Sequence, residues 1–357
     1  MRTQVKLIFI KKNTVFEEGE CMEINSDFHI VYASDNKFAE ILGVSMVSLF
    51  ENNKDANSIT LYILDGGISE QNKKRLDEIC FTYGRGLPIW IQAVNIQEII
   101  NTSVALDRGP LSQYSRLFLA RLLPKHLERV LYFDCDIVVN NSLQELWNLN
   151  IEGKTIAALY DAFSKYYRKN IGLKSDDIMF NSGVMLIDLK KWKENHVEER
   201  LLKFILSKKG KVQQGDQGAL NAILSHETFC FEPRFNAVTI FFDFKYKHMM
   251  IYRKPPTFYS ESQVKMAIDN PVIIHYTTSF LSRRPWIAGS NHMYVDKWLY
   301  YKDLTLWKEY DLWKDSIPKW KKYLVKLYNF LPRCFAIRLV GILQAYGRPF
   351  MRTLLQR

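Results

Sequence analysis

Cysteine is scarce in this 357-residue chain, and its five copies (Cys21, Cys80, Cys135, Cys230, Cys334) are odd in number, far apart and never paired as CxxC. Neither a disulfide framework nor a zinc knuckle is expected, and a reducing compartment is the simplest expectation. Long apolar runs are missing too. No stretch approaches the roughly 20 residues of a membrane span. Near the start the only apolar run, residues 7–10, is cut by Lys11 and Lys12. That is too short for a secretory leader, so the chain is expected to stay on the cytoplasmic side. Repeats and low-complexity tracts are also absent. With 47% hydrophobic and 14% aromatic residues, what remains is a chain able to bury one large core or two smaller ones.

Acidic residues are thin at one end. The formal net charge is +11, and residues 297–357 hold eight Lys and five Arg against Asp303, Glu309, Asp311 and Asp315, a net +9. A nucleic-acid groove would run through the main fold, so no nucleic-acid partner is expected; the asymmetry points to a tail with its own partner. The same region is dense in Trp, Tyr and Lys, including Trp298, Trp307, Trp313 and Trp320. Beyond Pro332 an amphipathic stretch could present Phe335, Ile337, Leu339, Ile342 and Leu343 to an anionic membrane surface. The competing expectation is that these aromatics pack back as an ordinary helical subdomain. A boundary near residue 290 divides a domain over 1–290, with its core at about 28–286, from a helical basic extension over 291–357.

Ahead of that boundary, β-like runs at 29–33, 59–64, 89–94 and 130–133 alternate with helical patterns at 36–49, from Ser69 to about 80, and at 113–123. This rhythm predicts an α/β fold with a mainly parallel central sheet covered on both faces. Ligand groups in such sheets collect past the C-terminal strand ends. The run Arg129-Val-Leu-Tyr-Phe-Asp134-Cys-Asp136-Ile-Val-Val139 ends an apolar strand in two carboxylates. Residues two apart in an extended chain point the same way, so Asp134 and Asp136 could converge on one hard cation, Mg²⁺ or Mn²⁺. An isolated DxD also occurs as a simple turn. A phosphatase-type site is rejected, because its DxD follows the first strand and is trailed by small residues.

The blocks around this pair occur in a recognisable order: Ala33-Ser-Asp35-Asn36, Leu64-Asp-Gly-Gly-Ile-Ser-Glu70, Tyr114-Ser-Arg116-Leu117, Val130 to Asp136, Phe180-Asn-Ser-Gly-Val-Met-Leu-Ile-Asp-Leu-Lys-Lys-Trp192, Asp216-Gln217, His275-Tyr276 and Pro285-Trp286. From about Phe28 to Trp286 the chain resembles glycosyltransferase family 8. The resemblance implies a GT-A nucleotide-sugar-binding fold, a divalent cation (Mn²⁺, or Mg²⁺) and retention of anomeric configuration. It makes Asp134, Asp136 and His275 metal ligands. Ala33, Asp35, Asn36 and Cys135 fall where the family holds the nucleotide, although Ser34 replaces an acidic residue common there. Arg116 matches a position facing the donor's sugar or diphosphate; read alone it is equally a surface residue of its helix. Asp161, Asn181, Asp216 and Gln217 match positions around the transferred sugar. The family's His-Tyr is often followed by Gly and by a Lys before Pro-Trp. Here the loop is longer and lacks Gly, and Arg283 and Arg284 offer two cations, with Arg284 favoured by its adjacency to Pro285-Trp286.

The resemblance therefore implies a retaining hexosyltransferase moving glucose or galactose from a UDP-sugar to a saccharide, glycolipid or glycoprotein acceptor in cell-surface glycan, lipopolysaccharide or glycoprotein-glycan assembly. Retention needs a carboxylate nucleophile or front-face attack, and the sequence does not choose among Asp161, Asp216 and Gln217. Two rivals are a UDP-sugar-forming nucleotidyltransferase, which wants a Gly-rich basic loop where 33–37 is Ala-Ser-Asp-Asn-Lys, and a non-catalytic sugar-nucleotide or glycan-binding protein.

Overall fold

The computed structural model describes residues 26–96 and 111–356, so Cys21 and the apolar run at 7–10 lie outside the described residues. Among the described residues ten strands form two sheets. They are β1 (Asp27–Ser34), β2 (Ser58–Asp65), β3 (Ile89–Gln92), β4 (Arg129–Phe133), β5 (Ile137–Val139), β6 (Ile156–Tyr160), β7 (Phe180–Asp188), β8 (Thr228–Cys230), β9 (Ala237–Val238) and β10 (Ile273–His275). Seven make the main sheet in the order β3-β2-β1-β4-β7-β6-β8, and β5-β10-β9 make a small second sheet.

In the main sheet β3, β2, β1 and β4 run parallel, β7 is antiparallel to both β4 and β6, and β6 is parallel to β8. The expected mainly parallel α/β sheet is present. Because strand order reverses between β1 and β4, this is the topological switch point, where connections leave to opposite faces and a crevice opens at the strand ends. Antiparallel β7 adds its starting residues to the same edge.

Each strand's alternation sorts its side chains between two cores. From β1 and β4, Phe28, Ile30, Tyr32, Leu131 and Phe133 join one buried cluster with the helix Ala39–Glu51 and the small sheet. Val31, Val130 and Tyr132 join the other, with Tyr114, Leu117, Phe118 and the helix Gly215–Leu224. The segment expected as a helix over 113–123 is instead a 3-10 helix, Leu111–Phe118, followed by one α-turn, Leu119–Leu122. A repeat of three aligns Tyr114 with Leu117, and both are buried.

Beyond residue 290 the chain first returns to the core. Trp298, Tyr301 and Trp307 are buried in the cluster that holds the helix Ala39–Glu51. Gly43 of that helix lies so close that a Cβ there would sit 2.7 Å from Trp307 Cζ3. The helices Lys319–Phe330, Arg333–Ile342 and Arg348–Gln356 follow. With the π-helical turn Leu343–Gly347 between the last two, they dock by few residues, chiefly Tyr328, Ala336, Ile337 and Ala345. Ile337, expected on the outward face, therefore packs inward, whereas Phe335, Leu339, Ile342 and Leu343 are exposed. Among the described residues no helix is long and apolar enough to cross a membrane.

Candidate active site

Asp134, Cys135 and Asp136 form a bend between β4 and β5 rather than a continuous strand. The bend follows from topology: β4 is held by β1 and β7, while β5 leaves to pair with β10. Convergence of the two carboxylates thus comes from this change of sheet as well as from strand alternation. The antiparallel register sets His275 opposite Ile137, and Tyr276 N–H donates to Asp136 O at 2.9 Å. His275 is thereby delivered beside the pair. Candidate ligand atoms of Asp134, Asp136 and His275 all lie within 4.8 Å of one another.

Close packing under this cluster requires glycine. A Cβ on Gly183, near the start of β7, would lie 2.2 Å from His275 Cε1 and 2.8 Å from Asp134 Oδ2. Gly183 O also accepts from Asp134 N–H at 2.7 Å.

Charge around the cluster is ordered by two arginines. Arg116 is buried and donates through Nε to Asp216, and through Nη1 to Asp134 Oδ1 at 3.1 Å and Ser182 O at 2.9 Å. Its guanidinium also lies 5.1 Å from the Tyr132 ring, and Tyr132 OH donates to Asp134 Oδ1 at 3.1 Å. Strand alternation explains this set, because Tyr132 projects to the face that carries Arg116. On the other side, Arg284 Nη2 is 3.1 Å from Asp136 Oδ2 and donates to Thr278 Oγ1 at 3.1 Å. Its Nε is buried without a hydrogen-bond partner among the described residues. Such an orphaned cationic donor beside two carboxylates suits an anionic ligand group.

Burial pushes the Asp134 carboxyl up, and Asp136 adds to this against the pull of Arg116 and His275. At Asp136 burial also pushes up, but Arg284 and His275 outweigh it and hold the group below the usual carboxylate range. Burial likewise raises Asp161, against Arg253 and the backbone N–H of Ala162.

The remaining sequence candidates fall into three groups. Asp161, Asn181, Asp216 and Gln217 gather around the cluster: Asn181 lies beside Asp161 and accepts through Oδ1 from Asn236 at 3.0 Å, Asp216 pairs with Arg116, and Gln217 Oε1 accepts from Ser182 N–H at 3.4 Å. Ala33, Asp35 and Asn36 sit at the end of β1, across the switch point, tied to the cluster by Cys135 Sγ–H donating to Ala33 O at 3.2 Å. Asp35 caps the following 3-10 turn at Phe38 N–H, and Asn36 Oδ1 accepts from Ser69 N–H. Arg283 is not brought in. It turns away to Asp315 at 3.1 Å and to Gly289 O. The sequence reading missed Tyr132, whose two-residue spacing from Asp134 was a usable signal. It also missed Asn236, which carries no local signal: it is fully buried and bonds both Asn181 and His275.

Strands meeting at a switch point, with an Asp-Asp-His cluster at their ends, define the GT-A class of glycosyltransferase folds. The family model described as Glycosyl transferase family 8 matches residues 29–288, and the chain belongs to that family. The chain is 30% identical to general stress protein A of Bacillus subtilis over 282 residues, 78% of this chain and 94% of that protein. It is 26% identical to the lipopolysaccharide 1,2-glucosyltransferase of Escherichia coli K12 over 316 residues, 84% of this chain and 82% of that enzyme. The crystal structure of galactosyltransferase LgtC with donor and acceptor sugar analogues superposes with a TM-score of 0.65, covering 79% of this chain and 99% of that one. At 22% identity, this likeness speaks for the fold alone.

Proposed function

We propose that this protein is a metal-dependent, retaining hexosyltransferase that transfers glucose or galactose from a UDP-sugar to a saccharide acceptor in cell-surface glycan or lipopolysaccharide assembly, or on a glycoprotein glycan. The observation that carries the proposal is the Asp134–Asp136–His275 cluster at the β1/β4 switch point, flanked by the orphaned donor of Arg284. Two hard carboxylates and an imidazole suit Mn²⁺, with Mg²⁺ as the alternative. Family membership favours this over a UDP-sugar-forming nucleotidyltransferase. The lipopolysaccharide 1,2-glucosyltransferase among its sequence relatives supports the hexose assignment.

Asp134, Asp136 and His275 would hold a divalent ion, which would supply Lewis-acid stabilisation of the negative charge developing on the departing UDP. Arg284 adds a second countercharge from the loop side. Arg116 spends Nε and Nη1 on Asp216, Asp134 and Ser182, so it holds the carboxylates in place rather than reaching outward. Asp216, locked to Arg116 and buried, is a poor nucleophile candidate, and burial pushes the Asp161 carboxyl up, toward its neutral form. Both facts favour front-face attack by the acceptor hydroxyl. Asp35 and Asn36, across the switch point, are assigned to the uridine.

The exposed apolar side chains of 319–354, among them Trp320, Phe330, Phe335 and Phe350, share their segment with eight Lys and Arg and no acid after Asp315. This supports a peripheral position on an anionic membrane surface, where a glycolipid acceptor would be presented. The activity test is incubation of the protein with a panel of UDP-sugars, Mn²⁺ and water as acceptor. Slow release of UDP from one donor identifies the sugar. No hydrolysis of any donor, together with no binding of UDP in the presence of Mn²⁺, would refute the transferase reading in favour of a non-catalytic one.

A further inference from the structure

Beneath the cluster runs a chain of buried amides whose polarity can be read from one unambiguous donor. Gly183 N–H can only donate, and it meets Asn181 Oδ1 at 3.0 Å. The same Oδ1 faces the Asn236 side chain at 3.0 Å. An oxygen already accepting must be met by hydrogen, so the Asn236 atom turned to it is the NH₂ group. The other end of that amide, turned to His275, is then the carbonyl oxygen, 2.9 Å from Nδ1. Only a protonated Nδ1 satisfies it. All the partners are buried, Asn236 completely, so no solvent relieves a reversed orientation.

We propose that Asn236 is a positioning residue of the metal site: it fixes His275 in the Nδ1–H tautomer and turns the bare Nε2 lone pair toward Asp134 and Asp136. Nε2 lies 3.2 Å from Asp136 Oδ1 and 4.0 Å from Asp134 Oδ2. A lone pair and a carboxylate oxygen at such a distance repel, and a metal cation between them would turn that repulsion into ligation. The amide chain thus prepares a ligand set before any metal arrives. Partners of this kind, one bond behind a ligating histidine, set ring orientation and ligand basicity. The proposal rests on the metal-binding reading of the Asp134–Asp136–His275 cluster, but its first test needs no metal.

That test is ¹⁵N long-range NMR of the metal-free wild-type protein at mildly alkaline pH, where a neutral imidazole reports which nitrogen is protonated. The expected result is Nδ1–H at His275; an Nε2–H ring overturns the proposal, whatever the variants do. In Asn236→Leu the tautomer should redistribute, and Mn²⁺ affinity, read by electron paramagnetic resonance of free Mn²⁺, should fall about 10- to 100-fold. Turnover at saturating Mn²⁺ should recover toward wild type. An unchanged tautomer and an unchanged Mn²⁺ affinity in Asn236→Leu would also overturn the idea. If the wild type binds no Mn²⁺ at all, the metal reading fails, while the wild-type tautomer still decides whether Asn236 orients the ring.

Discussion

At the scale of single residues, the cluster is built from groups that packing alone would not retain. Asp134→Asn and Asp136→Asn keep shape and remove charge, so the fold should survive while turnover falls on the order of 10²-fold or more. Full activity of the double variant, or of the wild type in excess chelator, would defeat the metal assignment. Gly183→Ala makes a different demand. Its methyl would enter space held by His275 and Asp134. Overpacking costs about 1–3 kcal/mol of stability, and His275 must also shift, so thermal melts and Mn²⁺ titration should both deteriorate. A variant that melts and binds Mn²⁺ like the wild type would show that the site is looser than its packing indicates. His292 offers an acid-stability test. It is buried against Tyr276 and Phe242, its Nδ1 accepts from Tyr294 N–H, and its Nε2 has no hydrogen-bond partner among the described residues. Burial drives its pKa from 6.5 down to about 4. A folded-state value below the unfolded one means that the stability contribution is complete above pH 6.5 and lost as pH falls from 6.5 toward 4. The loss amounts to about 3 kcal/mol. Denaturant melts of the wild type and His292→Phe across that range should diverge in slope, with the variant flatter. Parallel curves would reject the assignment.

At the scale of elements, the site depends on strands changing sheets. β4 stays in the main sheet, β5 does not, and the acidic bend marks the crossing. The helix Arg333–Ile342 shows a similar dependence on close approach. A Cβ on Gly341 would come within 2.6 Å of Ile251 O, which belongs to the helix Tyr246–Arg253. Gly341→Val should therefore lift the C-terminal helices from the body while leaving the sheet intact. The expected signature is faster proteolysis or hydrogen exchange after residue 319, with the exchange of β1 and β4 unchanged. Uniform protection in the variant would mean that the contact adjusts without cost.

At the scale of the whole molecule, charge and apolar exposure are concentrated at one end. Basic residues near anionic lipid contribute roughly 1 kcal/mol each, less as salt screens them. The exposed apolar side chains add burial in the interface. Flotation with anionic liposomes should exceed that with neutral ones, weaken in high salt, and fall sharply in the exposed-face variant Phe335→Ser with Leu339→Ser and Phe350→Ser. These positions are outward-facing, so the fold should persist. Equal binding to both lipid types, or no loss in the variant, would refute the membrane assignment and leave the transferase reading untouched.

Much of this protein could be read before its shape was known, because the signals were local. Alternation at 29–33, 59–64 and 130–133 marked strands, and Asp134-Cys-Asp136 marked a strand end where carboxylates had no packing role. The ordered blocks through Pro285-Trp286 carried the family. Other features depend on chain segments far apart in sequence. Arg116 meets Asp216 across 100 residues, and His275 meets Asn236 across 39. Which arginine faces Asp136 was settled by where the loop's backbone turns, sending Arg283 to Asp315. The direction of Ile337 was decided by which face of its helix found the body. Short-range pattern reports what a segment buries; only tertiary packing decides against what it is buried.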